Sequence, residues 1–284
     1  AGLFVVGTKP QTGLMPILTL DRLGDLPAVQ WSALLADSQP FVQHGFLSVL
    51  EDSGSVGPGT GWQPAHRLLV DAHGTPLAAL PGYVKQHSYG EYVFDMAWAE
   101  ACARAGIDYY PKLLTAVPFT PVSGGRLLGD GVAAAQLLDE LSASLHDQGL
   151  SSWHVNFTDA AADEVLRGRE GWLERLGCQF LWHNRGYRDF ADFLDQLTSR
   201  KRKQLRKERE QVAGQGIEFE WCEGRQLSEP EWDFVYACYA NTYHVRGRQP
   251  YLTRSFFSLL AERLPETIRV VSARHCGRAV AMAF

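Results

Sequence analysis

One order of elements, strand, helix, helix, hairpin, recurs in this chain, and it limits the fold more than any single motif does. Residues 18–23 open as a strand. Residues 26–38 carry apolar side chains at helical spacing through Leu26, Val29, Leu34 and Leu35, and the Gln39-Pro40 step stops them. Residues 41–52 read as a second helix with Phe46, Leu47 and Leu50 on one side. Two extended runs, 66–71 and 76–85, then flank a Gly74-containing turn as a hairpin. The same order returns at 216–222, 229–242, 253–264 and the paired runs 268–273 and 279–284. Residue identity between the two copies is slight; the order is what repeats.

Between the copies, strand and helix patterns alternate. Residues 88–95, 112–118, 152–157 and 178–187 read as strands, and 98–105, 132–148, 159–176 and 190–197 as helices. Gly106, Gly149 and Gly177 stand where helix ends need them. The expected class is α/β (α+β), with mixed sheets flanked by helices. The division expected is a tail over 1–16, a first unit over 17–187 and a second over 188–284. The second copy stops in mid-hairpin, which reads as truncation at the C-terminus. The Gly/Ser/Pro-rich segment 53–64 is long enough to face a substrate.

A length of 284 residues suits two domains, and no apolar run approaches the twenty residues of a membrane span. The five cysteines are scattered without a CxxC, and the nine histidines include no HExxH. That pattern disfavours a disulfide framework and a metal centre, and it fits a reducing cytoplasm.

Charge is concentrated in one place. Seven of the thirteen residues 199–211 are cations: Arg200, Lys201, Arg202, Lys203, Arg206, Lys207 and Arg209. On a helix they wrap most of the circumference, leaving a thin apolar line through Leu194, Leu197, Leu205 and Val212. Most such runs are solvated faces that bind nothing in particular. In a chain of net charge -5, this one also reads as a local surface for phosphates.

The element order, together with the segments PFVQHGFLSVLEDSGSVGPGTGWQP, HSYGEYVFD, YYPKLLTAVPFTPVSG, HNRGY, SRKRKQLRKER and PYLTRSFF, resembles the FemAB-like "peptidoglycan biosynthesis protein" family of predicted N-acyltransferases. The resemblance runs from about Leu18 to Phe284. It implies two tandem GNAT-like units with a basic helical segment between them. It implies transfer of an acyl or aminoacyl group to an amine, with acyl-CoA or aminoacyl-tRNA as co-substrate and no tightly bound cofactor. The acceptor would be a small-molecule or cell-wall-precursor amine, with tRNA among the candidate partners.

Acylation of an amine needs the amine deprotonated, the donor carbonyl polarised and the two held together. If 88–95 is a strand, Glu91 and Asp95 share a face and raise each other's pKa, so one can take a proton or both can hold an ammonium substrate. The competing reading is a solvent-exposed strand end. Tyr89 is the nearby hydrogen-bond candidate, and Tyr92 reads as core. Lys112 opens an apolar strand, where it can meet an anion or snorkel outward. Thr120, Ser123, Gly124, Gly125 and Arg126 precede a helix, where a Gly-rich turn can cradle an anion. This run departs from the GNAT pyrophosphate pattern, so an acceptor-binding role for the first unit also stands. His183 reads more readily as structural than as a base. In the resembling family, Arg202, Arg206 and Lys207, ahead of Gly216 and Ile217, would grip tRNA phosphates, a CoA pyrophosphate or a phosphorylated lipid carrier, with Arg200, Lys201 and Lys203 beside them. The alternative is a non-catalytic nucleic-acid- or phosphate-binding scaffold.

Overall fold

The computed structural model of the protein describes residues 15–284. The expected tail therefore lies, up to residue 14, outside the described residues. In chain order the elements are β1 (Ile17–Leu20), α1 (Ala28–Ser32), α2 (His44–Asp52), β2 (Trp62–Pro64), β3 (His66–Val70), β4 (Pro76–Leu80), β5 (Gly82–Lys85) and α3 (Met96–Arg104). There follow β6 (Lys112–Thr115), β7 (Leu128–Gly129), α4 (Gly131–Ser144), β8 (Trp153–Val155), α5 (Ala160–Leu166), α6 (Phe190–Asp195) and α7 (Ser199–Gly214). The last are β9 (Ile217–Glu223), α8 (Glu229–His244), α9 (Arg254–Arg263), β10 (Arg269–His275) and β11 (Arg278–Ala283). This is a mixed α/β architecture with three sheets among the described residues.

The chain forms two compact units. One holds the described residues up to Glu174 together with Gln249–Leu264, the other Arg175–Arg248 with Pro265–Phe284. The first unit has two sheets, β1-β3-β4-β7 and β2-β5-β6-β8. All pairs are antiparallel except β6 with β8. The run 76–85 serves both sheets: β4 lies in one, β5 in the other, and Pro81 sits between them. Gly82 follows because a Cβ there would stand 2.4 Å from the Ala65 carbonyl oxygen. Helix α4 starts on an Asp130 cap and buries Ala133, Leu137 and Leu141 against Leu69, Ala78, Leu80, Leu113 and Leu150. Each leucine buried this way contributes roughly 1.5–3 kcal/mol.

Helix α9 closes the first unit from far along the chain. Thr253 caps it, donates its hydroxyl to the Ser53 carbonyl at 3.0 Å and accepts from Phe256 N–H. Phe256 meets Phe46 edge-on at 6.0 Å, and Leu264 packs against Gly45 of α2.

The second unit has the antiparallel sheet β11-β10-β9. Helix α8 begins with a Ser228/Glu231 capping box and buries Trp232 and Val235. Helix α7 forms where the basic run predicts one, and none of its residues is buried. Good helix formers and the Thr198 cap account for it locally.

Several expectations fail. Residues 88–95 are not a strand: Gly90, Tyr92 and Phe94 all take positive φ, which breaks the extended run. Tyr92 is not core but exposed. The helix expected over 159–176 ends at Leu166, ahead of Gly168 at φ +74°. Residues 178–187 pair with no strand among the described residues, and Phe180 is 98% exposed. The helix expected over 26–38 shrinks to α1.

Candidate functional site

The site begins with register. In the β5–β6 ladder Lys85 stands opposite Lys112, and in β2–β5 Trp62 stands opposite Lys85. Leu114 of β6 pairs with His154 of β8. Directly paired residues share a face and side chains alternate along each strand. One face of this sheet therefore carries Trp62, Lys85, Lys112 and His154. Both lysines are fully buried. Two desolvated ammoniums side by side require anions.

Segment 88–95 supplies them. Lys112 Nζ donates to Asp95 Oδ2 at 2.7 Å, Glu91 Oε2 at 3.0 Å and Ser88 Oγ at 3.2 Å, and lies 3.4 Å from His154 Nδ1. Tyr109 donates its hydroxyl to Asp95 Oδ2 at 2.7 Å, and the Ser88 and Tyr110 hydroxyls are 2.7 Å apart. Lys85 Nζ sits 3.7 Å over the Trp62 ring, and both Lys85 Nζ and Trp62 Nε1 donate to the Tyr89 carbonyl. The side chains of Glu91, Asp95 and Lys112 are 0–3% exposed. Glu91 Oε1 and Asp95 Oδ1 are buried and accept no hydrogen bond.

The environment separates the two carboxyls. Burial raises Glu91, and the charge and hydrogen bond of Lys112 only partly offset it. Burial also works to raise Asp95, but hydrogen bonds from Lys112, Ser88 and Tyr109 overcome it and bring Asp95 to about 2. Burial depresses Lys85 to about 7 against the pull of Glu91. Burial and its bond to Asp95 push Tyr109 up, so it remains a donor. The expected mutual raising holds for Glu91, where Asp95 adds to burial, and is corrected for Asp95, which Lys112 lowers. The outward snorkelling of Lys112 is corrected as well.

Glu91, Asp95 and His154 bring ligand atoms within 4.8 Å of one another, a spacing a metal ion could use. Lys112 Nζ stands within 3.4 Å of all three, so a fixed cation already fills that position.

The other sequence candidates lie apart from this cluster or turn inward. The Tyr89 ring is exposed and contacts it only through the backbone carbonyl. Thr120 donates to its neighbour Pro118, and the Ser123 carbonyl accepts from Gln39 Nε2. Arg126 is buried and spent on the carbonyls of Val122, Gly125 and Asn156. The N-terminus of α4 is closed by the Asp130 carboxylate, which accepts from Val132 and Ala133 N–H. The expected anion cradle therefore already holds a carboxylate.

On α7, Arg202 donates to the carbonyls of Leu194, Asp195 and Leu197, sealing the α6 terminus. Arg206 reaches Asp195 at 4.0 Å, and Arg209 lies 4.2 Å over Phe190. Arg200, Lys201, Lys203 and Lys207 are exposed. His183 is exposed too. Sequence reasoning passed over Lys85, Ser88, Tyr109, Tyr110 and His154. The available signal was a lysine closing the apolar run 76–85 and another opening the run 112–118, the second next to the Tyr109-Tyr110 pair.

The FemAB-like family model, described as peptidoglycan biosynthesis/recognition, matches residues 22–284. No curated protein matches the chain.

Proposed function

Because the chain belongs to the FemAB-like family of peptidoglycan biosynthesis/recognition, we propose that it is a transferase passing an acyl or aminoacyl group from a phosphate-bearing donor to the amine of a cell-wall precursor. The observation that carries this reading is the buried Glu91–Lys112–Asp95 cluster, with one carboxyl raised and the other held near 2. An incoming ammonium must shed a proton before it attacks. Glu91 takes that proton on its unpartnered Oε1. Asp95 stays charged and keeps Lys112 fixed. The C–N bond forms as the donor's ester C–O bond, in aminoacyl-tRNA, or thioester C–S bond, in acyl-CoA, breaks, and the leaving oxygen or sulfur takes up a proton. Segment 88–95 covers the cluster and opens to admit the amine. Positive φ at Tyr92 and Phe94 supports this, since such strain concentrates where a segment is held for function.

Aminoacyl-tRNA is the favoured donor. The Gly-rich turn that sequence offered as an anion cradle departs from the GNAT pyrophosphate pattern and leads into a helix start that Asp130 closes, whereas α7 offers exposed cations. The test uses the full chain with charged tRNA or acetyl-CoA and an amine-bearing muropeptide. Glu91→Gln should lower transfer by about 10²- to 10⁴-fold and leave tRNA binding unchanged. An unaltered rate removes Glu91 from the reaction. Exposure of Arg200, Lys201, Lys203 and Lys207 favours one other reading, a phosphate-binding protein without transfer. That reading requires steeply salt-dependent tRNA binding and no product with either donor.

A further inference from the structure

A cavity of about 540 Å³, lined by none of the residues of the lysine cluster, opens in the first unit between the start of the chain's first helical turn, the end of α2 and the rim of the 53–64 loop. Its lining mixes chemistries. Val56, Pro58 and Pro64 are apolar. Arg22 and Arg263 also line it, both bound to Asp52: Arg22 Nη2 lies 2.5 Å from Oδ1 and Arg263 Nη2 2.6 Å from Oδ2. One carboxylate thus orients two guanidiniums from segments more than two hundred residues apart. Each guanidinium has five N–H donors in a planar fork, so each retains donors beyond the one spent on Asp52.

The acids around the cavity are not equivalent. Glu51 is turned inward: Oε1 meets His66 Nε2 at 2.7 Å and Oε2 accepts Leu23 N–H at 2.8 Å. Gly82 N–H points at His66 Nδ1, so His66 donates through Nε2 and Glu51 is satisfied internally. Asp52 is spent on the two arginines, whose bonds pull its pKa down against burial. Asp21 is the lining acid that remains at the surface. The loop that forms the rim is tied down. Gly57 N–H donates to Trp62 O at 2.9 Å, and Thr60 Oγ1 donates to Gly57 O at 2.8 Å.

We propose that this cavity binds a small zwitterion, an amino acid or a dipeptide, with its carboxylate on Arg22 and Arg263, its ammonium at Asp21 and a short aliphatic side chain against Val56, Pro58 and Pro64. Charge complementarity selects that class. A dianionic phosphate would gain the two guanidiniums but leave Asp21 without a cation, and it would bring two negative charges beside Asp52 where a zwitterion brings one. A simple amine would gain Asp21 but meet both arginines. A ligand that carries both charges pairs the two guanidiniums and Asp21 together. The site is independent of the transfer reaction, because binding needs no acyl donor.

Titration calorimetry of the full chain would compare L-alanine, D-alanine and D-alanyl-D-alanine with acetate, ethylamine and inorganic phosphate. The zwitterions should bind at least about tenfold more tightly than any of the three probes that carry charge of one sign only, a difference of about 1.4 kcal/mol. Arg263→Ala and Asp21→Asn should each weaken zwitterion binding by about tenfold or more. Asp21→Asn serves as the second variant because Asp21 is exposed and tied to no arginine of the clamp; its charge also favours the buried Arg67 guanidinium, so a urea melt of the variant checks that the fold is kept. Arg263→Lys should restore less than the full affinity, since an ammonium lacks the fork. Phosphate binding more tightly than any zwitterion, or zwitterion binding indifferent to Asp21→Asn, overturns the proposal. So does the absence of heat with all six probes.

Discussion

Lys112→Met tests the buried cluster most directly. The substitution keeps the length of the side chain and removes the ammonium that stands 2.7 Å from Asp95 and 3.0 Å from Glu91. Removing one partner of a buried ion pair costs about 3–5 kcal/mol, because the other charge is left desolvated. Here two carboxylates lose the same partner, and the expected loss at pH 7.5 is at the upper end of that range. The variant also acquires an opposite pH dependence. Without Lys112, the folded-state pKa of at least one carboxyl rises well above its unfolded value. The folded variant then binds more protons than the unfolded chain, so its stability increases as pH falls. Each proton taken up only in the folded state is worth about 1.4 kcal/mol per pH unit, or roughly 3 kcal/mol between pH 7.5 and 5. Urea unfolding followed by tryptophan fluorescence at the two pH values reads both effects. Adding Glu91→Gln and Asp95→Asn to Lys112→Met should recover most of the loss at pH 7.5. A loss below about 1 kcal/mol, or a variant with the wild-type pH profile, would refute the account of Lys112 as the cation that makes this burial tolerable.

Asp95 makes the wild type acid-sensitive. Its pKa falls from 3.8 to about 2 on folding, so its contribution, about 2 kcal/mol, is complete above pH 4 and is lost between pH 4 and 2; a titration of stability that stays flat there contradicts it. Lys85 acts in the other direction at high pH: depressed from 10.5 to about 7, it penalises the folded state below pH 7, and stability should rise as pH climbs from 7 to 10.5, a gain that Lys85→Met abolishes. Arg202→Ala removes three carbonyl contacts at the α6 terminus and should cost about 1–2 kcal/mol, seen as faster amide exchange across residues 190–200. Replacing Arg200, Lys203 and Lys207 together by Ala leaves those contacts intact and should flatten the salt dependence of tRNA binding by about two to three counterions; an unchanged slope means α7 does not touch phosphate. Gly82→Ala drives a Cβ into the Ala65 carbonyl and should cost about 1–3 kcal/mol in the same unfolding assay.

Periodicity located most elements whose own residues decide their form. The alternation in 66–71 and 76–85 and the helical spacing in 132–148 became β3, β4, β5 and α4 with shifts of a few residues. The basic run became α7 because its propensity and its Thr198 cap are local properties. Residues 88–95 defeated the same reading. SYGEYVFD alternates like a strand, but its two acids are drawn onto the buried Lys112 and the backbone bends through positive φ to bring them there. A tertiary electrostatic demand overrode local propensity. Glu91, Asp95 and Lys112 were legible as chemistry, since carboxylates and a lysine in apolar runs are conspicuous. Their common location was not, because it depends on the β5–β6 register and on where a loop crosses the sheet. Arg202 shows the converse: it looked like a phosphate contact in a cationic run, and its neighbours' carbonyls claim it. Composition cannot distinguish an arginine facing solvent from one folded back on a helix end.

The return of α9 to the first unit has a consequence for biosynthesis. Phe46, Gly45 and the Ser53–Ser55 turn contact residues that the ribosome has not yet made when Glu174 emerges. About ninety further residues separate Glu174 from Leu264, and at typical elongation rates their synthesis takes on the order of ten seconds. For that interval the apolar side of α2 waits uncovered on the nascent chain. The early part of this protein therefore matures late, and a translation pause placed before Thr253 would prolong its exposure to chaperones and proteases.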